Sequence, residues 1–277
     1  MTRLYFSRER DDPAAALVVA LDQGGIIMKR KIIVSVVIIV IAVIVSAVYL
    51  AFVVPVKNKE VLLNELFVNE KNYTIGVDIS DYQADVDMKR LKEQDIEFVY
   101  IKATEGSSHQ DKSFEKNWKN AEDAGLLSGA YHFFSFDSTG RKQAYNFIRT
   151  VGHDMTGRML PAVDVEYYGD KENNPPEKED VVKELGLFLD SLEEEYGVKP
   201  VIYTSPGLYR TYLKDDFRDY QLWMSSLYTP LDWRYHGDWI IWQYLDRGVL
   251  DGYSGGEKYI DLNVLNKKKS LDELIVR

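Results

Sequence analysis

Three patterns of apolar and polar residues divide the chain. From Ile32 to Val54 nearly every position is Ile, Val, Ala or Leu, and no charge lies between Lys31 and Lys57. As a helix rising ~1.5 Å per residue, that run is long enough to cross a bilayer core of ~30 Å. A soluble core helix of this length would carry a polar face, and a cleavable signal peptide would have an apolar region of only ~7–15 residues. The pattern therefore predicts an uncleaved transmembrane helix over 32–54. The second pattern covers residues 58–72, where Val61, Leu62, Leu63, Leu66 and Phe67 alternate with Asn and Glu and predict a short amphipathic linker helix.

From Tyr73 onward, short β-rich runs alternate with helix-period segments, the mark of a βα-repeating fold with a mostly parallel sheet. Eight runs predict strands: Thr74–Ile79, Phe98–Ala103, Ser128–Phe133, Met159–Val165, Pro200–Thr204, Gln221–Met224, Trp239–Gln243 and Lys258–Leu262. Helices are expected over Ser113–Ala124, Thr139–Val151 and Glu177–Tyr196, stopped by Gly125, Gly152 and Gly197. Eight strands imply a closed barrel, and the weaker helices of the second half imply an irregular one. The expected fold is thus α/β: an irregular (β/α) barrel of about eight strands, preceded by one transmembrane helix.

Charge around the apolar run sets the expected topology. Lys29, Arg30 and Lys31 abut its N-terminal side, against only Lys57 and Lys59 beyond it, so residues 1–31 are expected in the cytoplasm and the barrel outside the cell membrane. The plan is a cytoplasmic segment 1–31, a single-pass membrane helix 32–54, a linker 55–72 and a barrel domain 73–277. Met28-Lys29-Arg30-Lys31 has the form of an export-signal start, so translation from Met28 is expected, with 1–27 left untranslated.

Side chains alternate faces along a strand, and this turns three of the runs into candidate chemistry. Ile75, Val77 and Ile79 oppose Gly76, Asp78 and Ser80; Val163 and Val165 oppose Asp164 and Glu166; Ile260 and Leu262 oppose Tyr259, Asp261 and Asn263. The apolar faces belong against outer helices, so the carboxylates point into the barrel near the C-terminal ends of their strands, where barrel enzymes place their active sites. A lone Asp at a strand end is more often a turn former or helix cap. Recurrence on three strands points instead to one acidic cleft. Closing the barrel makes the first and last strands neighbours, bringing Asp78 and Asp261 together opposite Asp164 and Glu166. Crowding and desolvation then raise at least one pKa, giving a proton donor beside ionised groups, as glycoside hydrolysis requires.

Composition narrows the alternatives. The net charge is −10, and beyond residue 57 the count is 27 basic against 40 acidic residues, or −13, which argues against a nucleic-acid partner. The chain has no Cys, which excludes disulfides, thiolate zinc sites and a catalytic thiol. Two other readings stay open on the residues alone: a catalytically inactive glycan-binding barrel, and a metal-dependent hydrolase using Asp78, Asp164, Glu166 and Asp261 as oxygen ligands.

The segment from Tyr73 to about Asn266 resembles the family-25 glycoside hydrolases, lysozymes that cut peptidoglycan. The resemblance rests on Gly76-Val77-Asp78-Ile79-Ser80, Ile101-Lys102-Ala103-Thr104-Glu105-Gly106, Gly129-Ala130-Tyr131-His132-Phe133, Asp164-Val165-Glu166, Ile202-Tyr203-Thr204, Trp242-Gln243-Tyr244 and Asp261-Leu262-Asn263 in this order. It implies hydrolysis of the β-1,4 bond between N-acetylmuramic acid and N-acetylglucosamine, with peptidoglycan strands as partner, no metal or organic cofactor, and a monomer. By motif position Glu166 is the general acid/base, Asp164 orients or polarises the reacting sugar, and Asp78 and Asp261 complete an acidic floor. Tyr131, Tyr203, Trp242 and Gln243 are expected to line the sugar cleft. The resemblance leaves the nucleophile open between an enzyme carboxylate and the substrate's acetamido group. Residues Tyr167–Glu177 match no expected pattern and are expected to form a mobile rim loop.

Overall fold

Every β-rich run becomes a strand in the computed structural model, which describes residues 13–49, 64, 67, 68, 70–235 and 237–277. In chain order the strands are β1 (Ile75–Ile79), β2 (Ile96–Glu105), a short β3 (His109–Gln110), β4 (Leu127–Phe133), β5 (Ala162–Val165), β6 (Val201–Thr204), β7 (Leu222–Ser225), β8 (Ile241–Gly248) and β9 (Ile260–Leu265). They run β1-β9-β8-β7-β6-β5-β4-β2 around a ring that the β1–β2 pairing closes, with β3 appended to β2. The result is an eight-stranded barrel.

Its irregularity has a simple cause. Parallel neighbours need a crossover, usually helical, and helices do separate the early strands: α2 (Met88–Lys92), α3 (Phe114–Ala124), α4 (Gly140–Val151) and α5 (Lys178–Tyr196), while α1 (Pro13–Val48) precedes the barrel. Between β8 and β9 there is no helix. The chain therefore turns back, and β9 runs antiparallel to both β8 and β1. Asp261 consequently lies at the start of its strand, not near the C-terminal end expected from sequence. Because β9 is reversed, its start sits at the same rim as the ends of β1 and β5.

The face alternation read from the sequence partitions the core. Ile75, Val77, Ile79, Val163, Val165, Ile260 and Leu262 belong to an outer layer shared with Phe147, Leu185 and Phe188 of the helices. Inside the barrel, Phe98, Tyr100, Ala162, Val201, Trp223 and Ile241 form a separate apolar cluster with Met155, Met159, Leu274 and Val276. Gly76 faces Phe98 in register; a Cβ there would meet the Phe98 ring at 2.2 Å, so only glycine lets that ring fill the interior. His132 lies in the outer layer, fully buried, with Thr104 Oγ1 at 2.7 Å from Nδ1 and Gln143 Oε1 at 3.1 Å from Nε2. Burial lowers its pKa to about 4, and its part is structural.

The chain divides into two compact units, Met1–Val61 and Leu62–Arg277. In the first, the helix Pro13–Val48 contains a stretch, Arg30–Val48, long and apolar enough to cross a membrane, with none of its residues buried. Residues 1–12, the expected end of the span at Val54 and most of the linker lie outside the described residues. The second unit begins before the expected Tyr73. Asn64 is fully buried, donating from Nδ2 to the carbonyls of Ser226 (2.6 Å) and Tyr244 (2.9 Å). Val68 joins the outer apolar layer, and Glu70 Oε1 accepts from Tyr244 Oη at 2.7 Å. These residues pack against β8 and the segment that follows β7.

Candidate active site

Three strands deliver the four acidic residues to one rim. Asp78 of β1 stands directly opposite Asp261 of β9. Asp164, near the end of β5, is flanked in register by Phe133 of β4 and Tyr203 of β6, and Glu166 follows one residue beyond that strand. Asp78 and Asp164 are buried, each 8% exposed.

A relay of neutral groups fixes Asp78. Indole N–H groups can only donate, so the 2.7 Å bond from Trp223 Nε1 to Asn263 Oδ1 sets the orientation of that amide. The Asn263 Nδ2 then faces Asp78 Oδ2 and donates to it at 2.7 Å. Gln243 is oriented likewise: its Oε1 accepts from Tyr203 Oη at 2.8 Å and Ser225 Oγ at 3.2 Å, and its Nε2 donates to the same Asp78 oxygen at 3.0 Å. Donors converging on one oxygen favour its anion, yet burial outweighs them and pushes the Asp78 pKa up to about 6. Burial, with the charge of Asp78 next, holds the Asp261 carboxyl well above the ordinary range. Burial of two facing carboxyls thus raises the proton affinity of the pair.

Across the rim, burial and then the Glu166 charge keep the Asp164 carboxyl well above its usual value. Its Oδ1 is buried and has no hydrogen-bond partner among the described residues, an uncommon condition for a buried polar atom. Burial first, then Asp78, raise Glu166 to about 7, while Lys102 acts in the opposite direction. Glu166 can therefore hold a proton near neutral pH and surrender it.

Of the expected cleft residues, Tyr131, Tyr203 and Gln243 belong to this interior. Trp223 organises the two tyrosines, edge-on to Tyr203 with centroids 4.9 Å apart and to Tyr131 at 6.4 Å. Trp242 does not line the cleft as expected. It neighbours the inward Gln243 and so points outward, into the outer apolar layer, with Nε1 donating to Ser226 O at 3.1 Å. The tryptophan of the interior is Trp223, signalled by its alternation with the outward Leu222 and Met224. Lys102 was also not singled out. It shares the inward parity of Phe98 and Tyr100 on β2, pairs with Glu105 Oε2 at 2.8 Å and lies 4.8 Å from the Phe133 ring centre. Its ammonium lowers the pKa of both Asp164 and Glu166.

The segment Tyr167–Glu177, expected to be mobile, is pinned at several points. Tyr168 Oη donates to Asp137 Oδ2 at 2.8 Å, Lys171 Nζ reaches Asp137 Oδ1 at 2.6 Å, and the Tyr168 ring lies nearly parallel to Phe136.

Comparison with known proteins places this geometry among relatives. A family 25 glycosyl hydrolase structure from Bacillus anthracis is 44% identical, superposes with a TM-score of 0.66, and covers 74% of this chain and 95% of its own. The uncharacterized protein YegX of Escherichia coli K12 is 36% identical over 202 residues, 70% of this chain and 71% of that protein. The N,O-diacetylmuramidase of a Chalaropsis species is 29% identical over 210 residues, 70% of this chain and 97% of that enzyme. The family described as Glycosyl hydrolases family 25 matches residues 77–253, which is more than half of the chain and includes the strands bearing Asp78, Asp164 and Glu166, and the chain therefore belongs to that family.

Proposed function

We propose that the protein is a peptidoglycan hydrolase of the muramidase type, cleaving the β-1,4 bond between N-acetylmuramic acid and N-acetylglucosamine, with Glu166 as proton donor. The observation that carries this reading is the pairing of a carboxyl raised to about 7 at the rim with a buried oxygen, Asp164 Oδ1, that no group among the described residues satisfies. Family membership and a relative named as an N,O-diacetylmuramidase support it. In this mechanism the Glu166 proton passes to the departing glycosidic oxygen, and the C1–O bond breaks as positive charge develops on the sugar ring. Asp164 orients and polarises that sugar through its unpaired oxygen. Asp78 and Asp261 supply the acidic floor, and Tyr131, Tyr203 and Gln243 line the cleft. After cleavage, Glu166 takes a proton from the incoming water.

Nothing in the geometry favours the metal-dependent alternative. Amide N–H groups aimed at Asp78 suit an anion or a shared proton and oppose a cation. Incubating the purified protein with peptidoglycan should release fragments with N-acetylmuramic acid at the new reducing end. N-acetylglucosamine at that position, or no cleavage at all, overturns the assignment.

The apolar helix supports a further reading, a single-pass anchor that leaves the barrel outside the cytoplasm, where its polymeric substrate lies. External protease should then degrade the barrel in intact spheroplasts, and protection of the barrel there would reverse this topology.

A further inference from the structure

Beside the acidic rim lies a second concavity that the cleavage reaction does not use. It has a volume of about 450 Å³ and is lined by Tyr167, Glu172, Ser205, Leu208, Arg210 and Thr211. Its position follows from the barrel register. Val165 of β5 pairs with Thr204 of β6, so the next residues along these strands are Glu166 and Ser205. The pocket thus opens one residue outward from the proposed proton donor, between the segment Tyr167–Glu177 and the turn after β6.

Both walls are held in place before any ligand arrives. Tyr167 Oη and Tyr212 Oη lie 3.1 Å apart, and Tyr212 Oη donates to the Pro176 carbonyl at 2.9 Å, tying the rim segment to the turn. Lys178, at the start of α5, and Asp215, just beyond that turn, add an ion pair of 2.9 Å. The turn itself is unusual. Over Tyr209–Leu213 it is a π-helix, closed by a bond from Lys214 N to the carbonyl of Tyr209, five residues back, at 2.9 Å. Such widened turns are rare and concentrate at functional sites; this one supplies Arg210 and Thr211 to the pocket.

The chemistry of the lining differs from that of the sugar cleft. A neutral glycan strand is held by aromatic faces and uncharged hydrogen-bonding groups, as Tyr131, Tyr203 and Gln243 provide. This pocket brings together a carboxylate, Glu172, a guanidinium, Arg210, and hydroxyls from Ser205 and Thr211, with Tyr167 as its aromatic ring. Opposite charges beside the proposed proton donor match a substituent that itself carries carboxylate and ammonium groups. On a peptidoglycan strand that substituent is the stem peptide, borne by the muramic acid whose linkage is cut. A volume of 450 Å³ falls within the ~300–1,000 Å³ of ordinary ligand pockets.

We propose that this pocket receives the stem peptide, so that peptide-bearing strands are the preferred substrate over naked glycan. The proposal rests on the muramidase reading, and the test separates the two. The full-length protein in detergent is assayed on soluble wall oligosaccharides that retain their stem peptides and on the same oligosaccharides stripped by an amidase. The parent is expected to show a kcat/KM ratio of at least about 10 in favour of the peptide-bearing strands, with the free stem tetrapeptide inhibiting competitively. Glu172→Gln and Arg210→Gln should each bring that ratio down toward unity. Equal kcat/KM on both substrates in the parent, or variants that cleave and keep the parental ratio, overturn the proposal while leaving the muramidase reading intact. Cleavage of neither substrate overturns the muramidase reading itself. The competition assay uses only the parent protein, so failure of the free peptide to inhibit counts against the pocket even if a variant does not fold.

Discussion

Replacing Glu166 with Gln keeps the shape and hydrogen-bonding capacity of the side chain and removes only the proton it can give. The structure sets the size of the effect. A glutamate at its ordinary value of 4.5 would be protonated in about one molecule in 300 at pH 7, whereas a carboxyl raised to about 7 is protonated in about half. The environment thus enlarges the acid-competent population by roughly 150-fold at neutral pH. Glu166→Gln should lower kcat by about 10²–10⁴-fold, the usual contribution of a positioned general acid, while binding of wall oligosaccharides persists because the cleft tyrosines are untouched. The decisive assay is kcat/KM on a soluble oligosaccharide between pH 5 and 9. Because the working form is the protonated one, parental activity should fall as pH rises through about 7. Lys102→Met removes a cation that stabilises the glutamate anion and should displace this limb to higher pH. In Glu166→Gln the limb should disappear. A variant that turns over at the parental rate, or whose residual activity retains the same basic limb, removes Glu166 as the acid.

Two further outcomes follow from the carboxylate cluster and from the residues packed against β8. Asp164 is raised well above its ordinary value, so the folded state binds its proton more tightly than the unfolded state does, and the associated stability is lost as pH rises through the folded pKa. Asp164→Asn should therefore raise Tm at pH 8 by several degrees while depressing kcat, with the gain shrinking toward pH 4; a lower Tm at pH 8 would show that the cluster is not strained. Asn64→Ala would remove two buried hydrogen bonds, one to the Tyr244 carbonyl and one to the Ser226 carbonyl that Trp242 also serves, and should cost about 1–3 kcal/mol, read by urea unfolding of the full-length chain, and a soluble barrel beginning at Tyr73 should be less stable than one beginning at Leu62. Equal stability of those two truncations would make residues 62–72 a mere spacer.

Strand number, face assignment and the acidic cluster were legible because each rests on local alternation, and alternation survives whatever the neighbours are. Asp78, Asp164 and Asp261 share parity with their strands' inward positions, and closure of the barrel does the rest. What escaped depends on long-range pairing. The direction of β9 is set by the absence of a crossover helix, which leaves no mark on the pattern of β9 itself. Trp242 was misassigned because motif position places a residue along the strand without weighing its face; Gln243 next to it holds the inward place. Lys102 escaped since a lysine in a strand reads as a solvent position until its parity with Phe98 and Tyr100 is considered. Asn64 lies in a run that looks like linker, and its role appears only in its bonds to carbonyls more than 160 residues away.

The barrel interior is closed at one end. Beneath the carboxylates Tyr100 stacks on Trp223 with centroids 4.8 Å apart, and below them Met159 and the C-terminal residues Leu274 and Val276 fill the remaining space. Backbone bonds fasten this stopper, from Leu160 N to Leu274 O at 2.6 Å and from Val276 N to Arg158 O at 2.9 Å. The carboxylates therefore stand above a packed apolar floor, at the opposite end of the barrel.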